Sequence, residues 1–450
     1  MRIISEANES LLTILRLFSN NATSVRWSQY CVHLSVDEGV LAYNLLTREM
    51  ILLTLEEYDN FSAHDYLKAH WFVVPKTSNE KEMADFVKLV LKNRQPQSDS
   101  ITHYTIFTTT DCNARCFYCF ELGRSRVPMS CETAEKVVQY IKSHCGNEKV
   151  SINWFGGEPL FNLEAIDCIT DGLRSENIEF SSKMTSNGYL FNENVVQKAV
   201  ERWHLTKVQI PLDGTEMIYN KTKAYIYRDT NPYEIVMNNI DRLLNAGIRV
   251  AIRLNMDLYN AEDLLLLANE LGERFANQRG LFVYARHLFV GDTDYAELHS
   301  EEEWQKRDIA MGRLNDILER NGLLLQSGIS KKIPLHHCIA DNGMAITILP
   351  NGNLGLCDHH TDDEFFGHID HPEYDTDLIK SWKVRMPEVP ECAKCFFYFD
   401  CIKLKKCPND SVCFTQFRQE KLRHTQHTML CEYKKWLTMS CSKEADDFSI

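Results

Sequence analysis

No stretch of the 450 residues is apolar over the roughly 20 positions that a membrane-crossing helix needs, so no membrane association is expected. An excess of positive charge is also missing: 49 Lys and Arg stand against 63 Asp and Glu, a net charge of -14 that argues against a nucleic-acid partner. The beginning, Met1-Arg-Ile-Ile-Ser-Glu, lacks a secretory pattern because Glu6 and Glu9 interrupt any apolar region. A cytoplasmic protein is expected. What the sequence does have is cysteine, 16 in all. A reducing compartment disfavours a disulfide framework, and clustered thiols there point to metal.

The cysteines are unevenly placed. Three form a C-x3-C-x2-C array at Cys112, Cys116 and Cys119, and eight lie between Cys338 and Cys431. Cys31, Cys131, Cys145, Cys168 and Cys441 are scattered and read as small buried or inert thiols. Three thiolates suit an iron–sulfur cluster short of one protein ligand, since a fully protein-ligated [4Fe–4S] cluster takes four. The fourth iron is then open to a small molecule.

The length suggests two or three domains. In residues 1–100, Ser28 to Val36 and Val40 to Leu46 read as strands of a hairpin turning at Asp37-Glu38-Gly39, with a third strand at Met50 to Leu55. Ala63 to Ala69 and Lys81 to Leu91 have helical spacing, and Asn93 to Ser100 is polar and aperiodic, hence a linker. From 101 to 325, β-rich runs near 103–109, 150–155, 180–185, 207–212, 249–255 and 281–287 alternate with amphipathic helices. These include Glu132 to Ser143 with Ser130 as N-cap, Glu193 to Trp203, Tyr233 to Ala246 and Ala261 to Phe275. A further helix follows at Glu301 to Gly322. The alternation predicts an α/β fold, a partial (β/α)6 TIM-like barrel, with its chemistry at the carboxyl ends of the strands.

At those ends stand polar constellations. Trp154-Phe-Gly156-Gly157-Glu158-Pro159 follows the second strand; its paired glycines let backbone approach a ligand, or make an ordinary turn. Thr185-Ser186-Asn187-Gly188 follows the third, as turn or as ligand contact. On the fifth, alternation sets Arg253 and Asn255 on one face. An inward arginine needs an anion, either a structural acid or a ligand carboxylate.

The cysteine loop, the Gly-Gly-Glu-Pro turn, Thr-Ser-Asn-Gly and Arg-x-Asn, in that order over residues 101 to 325, resemble the radical S-adenosylmethionine (SAM) superfamily. The resemblance implies that Cys112, Cys116 and Cys119 hold a [4Fe–4S] cluster whose open iron is chelated by SAM. It implies that Gly156, Gly157 and Glu158 receive the methionyl amine and that Tyr118 lies by the adenine through its backbone. Ser186 and Asn187 would contact the ribose or methionyl portion, and Arg253 the methionyl carboxylate. Asp213-Gly214 resembles a recurrent turn of the superfamily, with Asp213 in a supporting role. The implied chemistry is reductive cleavage of SAM to methionine and a 5′-deoxyadenosyl radical that abstracts hydrogen from a substrate. The catalytic acid or base is not assigned.

Residues 326–450 carry Cys338, Gly352-x4-Cys357, Cys392-x2-Cys395-x5-Cys401-x5-Cys407-x5-Cys413 and Cys431. Spacing alone allows a zinc ribbon or two four-thiolate clusters. The region resembles the superfamily's SPASM extension, which houses two auxiliary [4Fe–4S] clusters. By that resemblance Cys338, Cys357 and Cys407 ligate the first, with Cys413 as its fourth ligand or a bystander, and Cys392, Cys395, Cys401 and Cys431 the second. In the family three residues separate Cys401's counterpart from the next thiol; here that position is Lys405 and the thiol comes at Cys407, an insertion. His336, His337, His359 and His360 read as surface or core residues rather than ligands.

The resemblance implies a maturase that acts on a ribosomally made precursor peptide and forms a thioether or C–C crosslink, reduced by a donor such as flavodoxin or ferredoxin. Residues 1–100 then resemble a winged-helix-like leader-peptide element to which a peptide adds a strand, or serve as a capping subdomain. A formylglycine-forming, sulfatase-maturase-like enzyme and a non-catalytic iron–sulfur electron-transfer protein are the alternatives.

Overall fold

The computed structural model describes residues 1–18, 22–95, 100–276, 278–288, 301–324, 328–336, 338–359, 364–371, 373–407 and 415–447. After the strands of the amino-terminal region come β7 (His103–Thr109), β8 (Val150–Gly156), β9 (Phe180–Thr185), β10 (Leu205–Leu212), β11 (Arg249–Met256) and β12 (Leu281–His287). All six are parallel and lie side by side in chain order. On the far side of β7 the sheet continues through β13 (Ala345–Ile348), parallel to β7, and then antiparallel β14 (Asn353–Gly355) and β15 (Phe365–His368), nine strands among the described residues. The expected βα barrel strands are therefore present, and the cysteine-rich region supplies three more.

The strands sit where alternation puts them. In β8, Val150, Ile152 and Trp154 are fully buried against the helices, whereas Ser151, Asn153 and Phe155 occupy the other face. In β11, Val250, Ile252, Leu254 and Met256 enter that same helix-side core, which leaves Arg253 and Asn255 on the opposite face. Helix Cys131–His144 begins at Ser130, whose hydroxyl accepts from the Thr133 amide (3.1 Å), and buries Ala134, Val137, Val138 and Ile141. Helices Glu193–Glu201, Pro232–Asn245, Ala261–Phe275 and Glu301–Arg320 lie within a residue or two of their sequence positions.

The amino-terminal region holds more sheet than its sequence shows. β1 (Arg2–Ser5), β3 (Cys31–Val36), β4 (Gly39–Asn44) and β5 (Glu49–Leu53) form an antiparallel sheet in the order β1-β5-β4-β3, while β2 (Val25–Trp27) pairs with β6 (Val73–Pro75). The strand expected over Ser28–Val36 begins only at Cys31, and helix Glu80–Arg94 takes up the start of the expected linker, of which 96–99 lie outside the described residues. β4 and β5 are buried throughout because both faces are covered. Leu41, Tyr43, Met50 and Leu52 pack with Tyr398, Phe399, Met429 and Tyr433, whereas Ala42, Ile51 and Leu53 pack with Leu67 and Phe72. The carboxy-terminal helix Thr415–Asp447 lies against β1 and β3. No helix among the described residues is long and apolar enough to cross a membrane.

Candidate functional site

The carboxyl end of β7 runs into the loop carrying Cys112, Cys116 and Cys119, all part-buried. Its frame is backbone. The amide of Gly157 donates to the Thr109 carbonyl (3.0 Å) and that of Glu158 to the Asp111 carbonyl (2.9 Å), so the turn after β8 is sewn to the start of the cysteine loop. This fixes why glycines stand there: a Cβ on Gly156 would lie 2.2 Å from the Thr109 oxygen, and one on Gly157 2.3 Å from the Asp111 oxygen. The chain's own backbone makes the close approach that the sequence alone offered to a ligand.

Glu158, fully buried, is committed in the same way. Its carboxylate accepts from the Ser186 hydroxyl (2.8 Å), the Asn187 amide (2.7 Å) and the Leu160 amide (3.2 Å). Three donors leave one of roughly four lone-pair positions for a ligand amine. Burial, partly opposed by these donors, raises its pKa to about 7. Ser186, expected at the ribose or methionyl portion, gives its proton to Glu158 and accepts from the Gly188 amide (3.0 Å), which leaves one lone pair on its oxygen. Asn187 is likewise engaged, donating to Asn113 Oδ1 (2.6 Å) and accepting from the Tyr189 amide (3.0 Å), while its Nδ2 lies 3.8 Å from Cys112 Sγ.

Beneath the loop is a buried charged network that sequence reasoning caught only in part. Asp213, with no exposed surface, directly follows β10; Lys223, from the helix that follows, pairs with its Oδ2 at 2.9 Å. The Tyr118 hydroxyl donates to the same carboxylate (2.8 Å) and accepts from Lys223 Nζ (2.9 Å), and Asn255 Nδ2 donates to Asp213 Oδ1 (3.0 Å). Burial opposes the Lys223 charge, but Asp213, Tyr118 and Cys116 outweigh it and hold its pKa well above the usual lysine value. The Lys223 carbonyl accepts from the Arg115 amide (2.8 Å) and lies 4.0 Å from Cys116 Sγ, which ties the network to the loop. Tyr118 is thus placed by its side chain, and no signal marked Lys223 beyond a cation ten residues after Asp213.

Burial pushes all three thiols up, Cys112 to about 12 with Glu158 adding to it, while Lys223 draws Cys116 back. A metal displaces such protons when it binds. Arg253 supplies a second test of fit. Its Nε is buried with no hydrogen-bond partner among the described residues, an unpaired donor of a cation on the barrel-inner face. The donor set therefore fits a thiolate-held cluster with an anionic ligand beside it.

In the cysteine-rich region Cys338 is close enough to Cys357 and Cys407 for both to raise its pKa, after burial, which is the larger cause. Cys392 and Cys395 pack beside Tyr398 and Phe399, and the Cys401 amide donates to the Tyr398 carbonyl (3.2 Å). Cys431, expected with Cys392, Cys395 and Cys401, has its Sγ 3.5 Å from His427 Nε2, and these two with Glu319 have donor atoms within 4.8 Å of one another. Helical periodicity brings the i and i+4 side chains together there. Cys413, His337 and His360 lie outside the described residues. His359 stacks on Phe120 and meets Asp358 Oδ1 at 3.0 Å; burial works against its protonation, but Asp358 and Cys357 raise its pKa to about 10. His336 contacts the Asp341 carbonyl (3.1 Å).

The six-strand parallel βα array carries a three-thiol loop at the end of its first strand and, on its fifth, an arginine whose Nε has no acceptor among the described residues; residues 106–271 match the Radical SAM superfamily model, which marks this part of the chain as a radical SAM domain. Such a domain implies a [4Fe–4S] cluster and SAM. Among curated relatives, the radical SAM cyclopropyl synthase TigE of Paramaledivibacter caminithermalis is 23% identical over 218 residues, 40% of this chain and 45% of that protein. Among solved structures, anSMEcpe with bound AdoMet superposes with a TM-score of 0.56 at 16% identity, over 76% of this chain and 96% of that one. SuiB of Streptococcus suis bound to precursor peptide SuiA superposes at 0.52 and 13%, over 87% and 99%. The chain spans 37% to 55% of the length of the curated relatives it matches, several of them probable GTP 3′,8-cyclases.

Proposed function

We propose that this chain is a radical SAM enzyme that modifies a ribosomally made precursor peptide, forming a thioether or C–C crosslink. The observation that carries the enzyme reading is the pairing of the Cys112–Cys119 loop with Arg253, whose buried Nε lacks a partner among the described residues. An electron-transfer protein needs the thiols but not that cation. The peptide reading rests on the cysteine-rich region and on fold likeness to anSMEcpe and SuiB, each solved with a bound peptide.

In this reading Cys112, Cys116 and Cys119 hold the cluster and Arg253 holds the carboxylate of SAM. Glu158 keeps one acceptor position for its amine, while Tyr118, Ser186 and Asn187 hold the cysteine loop and the β8 and β9 turns in place. Cluster and SAM together supply reductive cleavage to methionine and a 5′-deoxyadenosyl radical that takes hydrogen from the peptide. Cys338, Cys357 and Cys407 would hold one auxiliary [4Fe–4S] cluster, with Cys413 a candidate fourth ligand; Cys392, Cys395, Cys401 and Cys431 would hold a second. Residues 1–100 are assigned to peptide recognition, 101–325 to SAM chemistry and 326–450 to the auxiliary clusters, with a flavodoxin or ferredoxin as reductant in a cytoplasmic setting.

Anaerobic incubation of reconstituted protein with SAM and dithionite should yield 5′-deoxyadenosine and methionine, and Cys116→Ala should yield neither. Absence of both products from the wild type would overturn the enzyme reading. Co-expression with a candidate precursor peptide should then remove two hydrogens of mass per crosslink. An unchanged peptide mass, with SAM cleavage intact, would overturn the peptide reading alone.

A further inference from the structure

Cys131 and Cys168 lie 37 residues apart in sequence, outside every cluster motif, yet their sulfurs stand 2.9 Å apart. Cys131 opens helix Cys131–His144, and Cys168 sits in the first half of helix Leu163–Ser175. The helices approach closely because Gly172 faces Val138: a Cβ there would lie 2.7 Å from Val138 Cγ2. A cleft of about 1070 Å³ between these helices and the segment carrying Tyr374 has Cys168 on its wall, so a small reagent can reach the pair.

Both thiols are mounted on the frame of the cysteine loop. The Met129 amide donates to the Thr108 carbonyl (2.8 Å) and the Thr110 amide to the Val127 carbonyl (3.0 Å), which fixes the segment just before Cys131 to the end of β7. Asn162, just before the second helix, donates through Nδ2 to the carbonyls of Thr108 (2.8 Å) and Met129 (3.0 Å). Whatever locks one helix to the other also locks these segments around the strand end that leads to Cys112.

We infer that Cys131 and Cys168 are a redox-responsive dithiol which closes to a disulfide under oxidation and clamps the frame of the cysteine loop. Closure by a small-molecule disulfide balances in two exchanges: one protein thiolate displaces the first small thiol, and the second displaces the other. One intraprotein S–S bond forms, the reagent's S–S bond breaks, and two small thiols leave with the two protons. Hydrogen bonding to Cys168 and to Glu164 pushes the Cys131 thiol up, so thiolate is scarce at neutral pH and closure is slow. The pair responds to sustained oxidation rather than shuttling disulfides. The inference does not depend on the proposed enzyme activity.

The test uses reconstituted, anaerobic full-length protein treated with 2-hydroxyethyl disulfide, followed by alkylation, digestion and mass spectrometry. A crosslinked pair of peptides containing Cys131 and Cys168, reversed by dithiothreitol, is expected, with amide exchange at Thr110 and Met129 slowed at least tenfold. Cys131→Ser and Cys168→Ser should each abolish the crosslink and the slowing, and either variant suffices if the other does not fold. Separate alkylation of both thiols after treatment would overturn the inference, as would a crosslink that leaves the two amides unchanged. Stoichiometric zinc lost on either substitution would also overturn it, in favour of a metal pair.

Discussion

Replacing Lys223 by Met tests whether the buried network holds the cysteine loop. The substitution keeps most of the side-chain volume and removes the cation that, among the described residues, pairs with Asp213, which has no exposed surface. Asp213 keeps its bonds from Tyr118 and Asn255 but carries an uncompensated charge. Breaking a buried pair from one side costs about 3–5 kcal/mol. The cost falls on whatever opens with the pair, and two backbone bonds report it: the Arg115 amide donating to Lys223 (2.8 Å) and the Ile226 amide donating to Asn113 (2.9 Å). About 3 kcal/mol off the local opening free energy speeds exchange of those amides roughly hundredfold. Hydrogen–deuterium exchange of the cofactor-free protein reads this directly, with amides of β12 as the internal control. The double variant Lys223→Met/Asp213→Asn, which buries no charge, should recover most of the protection. Exchange within about threefold of wild type in the single variant, or no recovery in the double, would refute the reasoning.

Glu158 gives a pH signature. Between its ordinary pKa of 4.5 and about 7 the folded chain keeps a proton that the unfolded chain has lost, so stability falls as pH rises through that window, by about 3 kcal/mol in all. The thermal midpoint of cofactor-free protein from pH 5 to 8 should show this decline, and Glu158→Gln should lower the midpoint while removing the slope. Arg253→Met should weaken SAM binding to the reconstituted protein roughly 10- to 100-fold, the worth of one charged hydrogen bond. The same change should leave the thermal midpoint nearly unchanged, because no described acceptor is orphaned with it; equilibrium dialysis measures the first and calorimetry the second. Asp400→Ala strands Arg48, 4% exposed and held bidentately by that carboxylate, and should cost about 3 kcal/mol. Limited proteolysis should then cut residues 1–95 faster than in wild type.

The barrel strands were legible because each is a short apolar run between amphipathic helices, and β7, β9 and β12 fall on their expected residues. The polar positions at the strand ends were legible too, but not what they do. Gly156 and Gly157 looked like room for a ligand, and only the fold reveals the carbonyls of Thr109 and Asp111 in that room. Ser186 and Glu158 looked like two ligand groups and prove to be each other's partners across 28 residues. Long-range pairing of this kind leaves no periodic trace in a chain. The same limit hid β1, whose four residues pair with β5 about fifty positions later, and the meeting of Cys131 with Cys168.

The sharing of one core between the two ends of the chain has a consequence for how the clusters would load. One face of the β4–β5 layer packs against Tyr398 and Phe399, between Cys395 and Cys401. Asp400, next to Cys401, takes the buried Arg48 that follows β4, and the Lys88 ammonium donates to the Tyr398 carbonyl (3.0 Å). The segment that would carry the second auxiliary cluster is therefore built on the amino-terminal sheet rather than on the barrel. Cluster binding there is also folding free energy for that contact, so metal content and the seating of residues 1–95 should rise and fall together. An arrangement in which the amino-terminal region swings freely to deliver a peptide would have to break a buried ion pair each time. A fixed amino-terminal region keeps that pair intact.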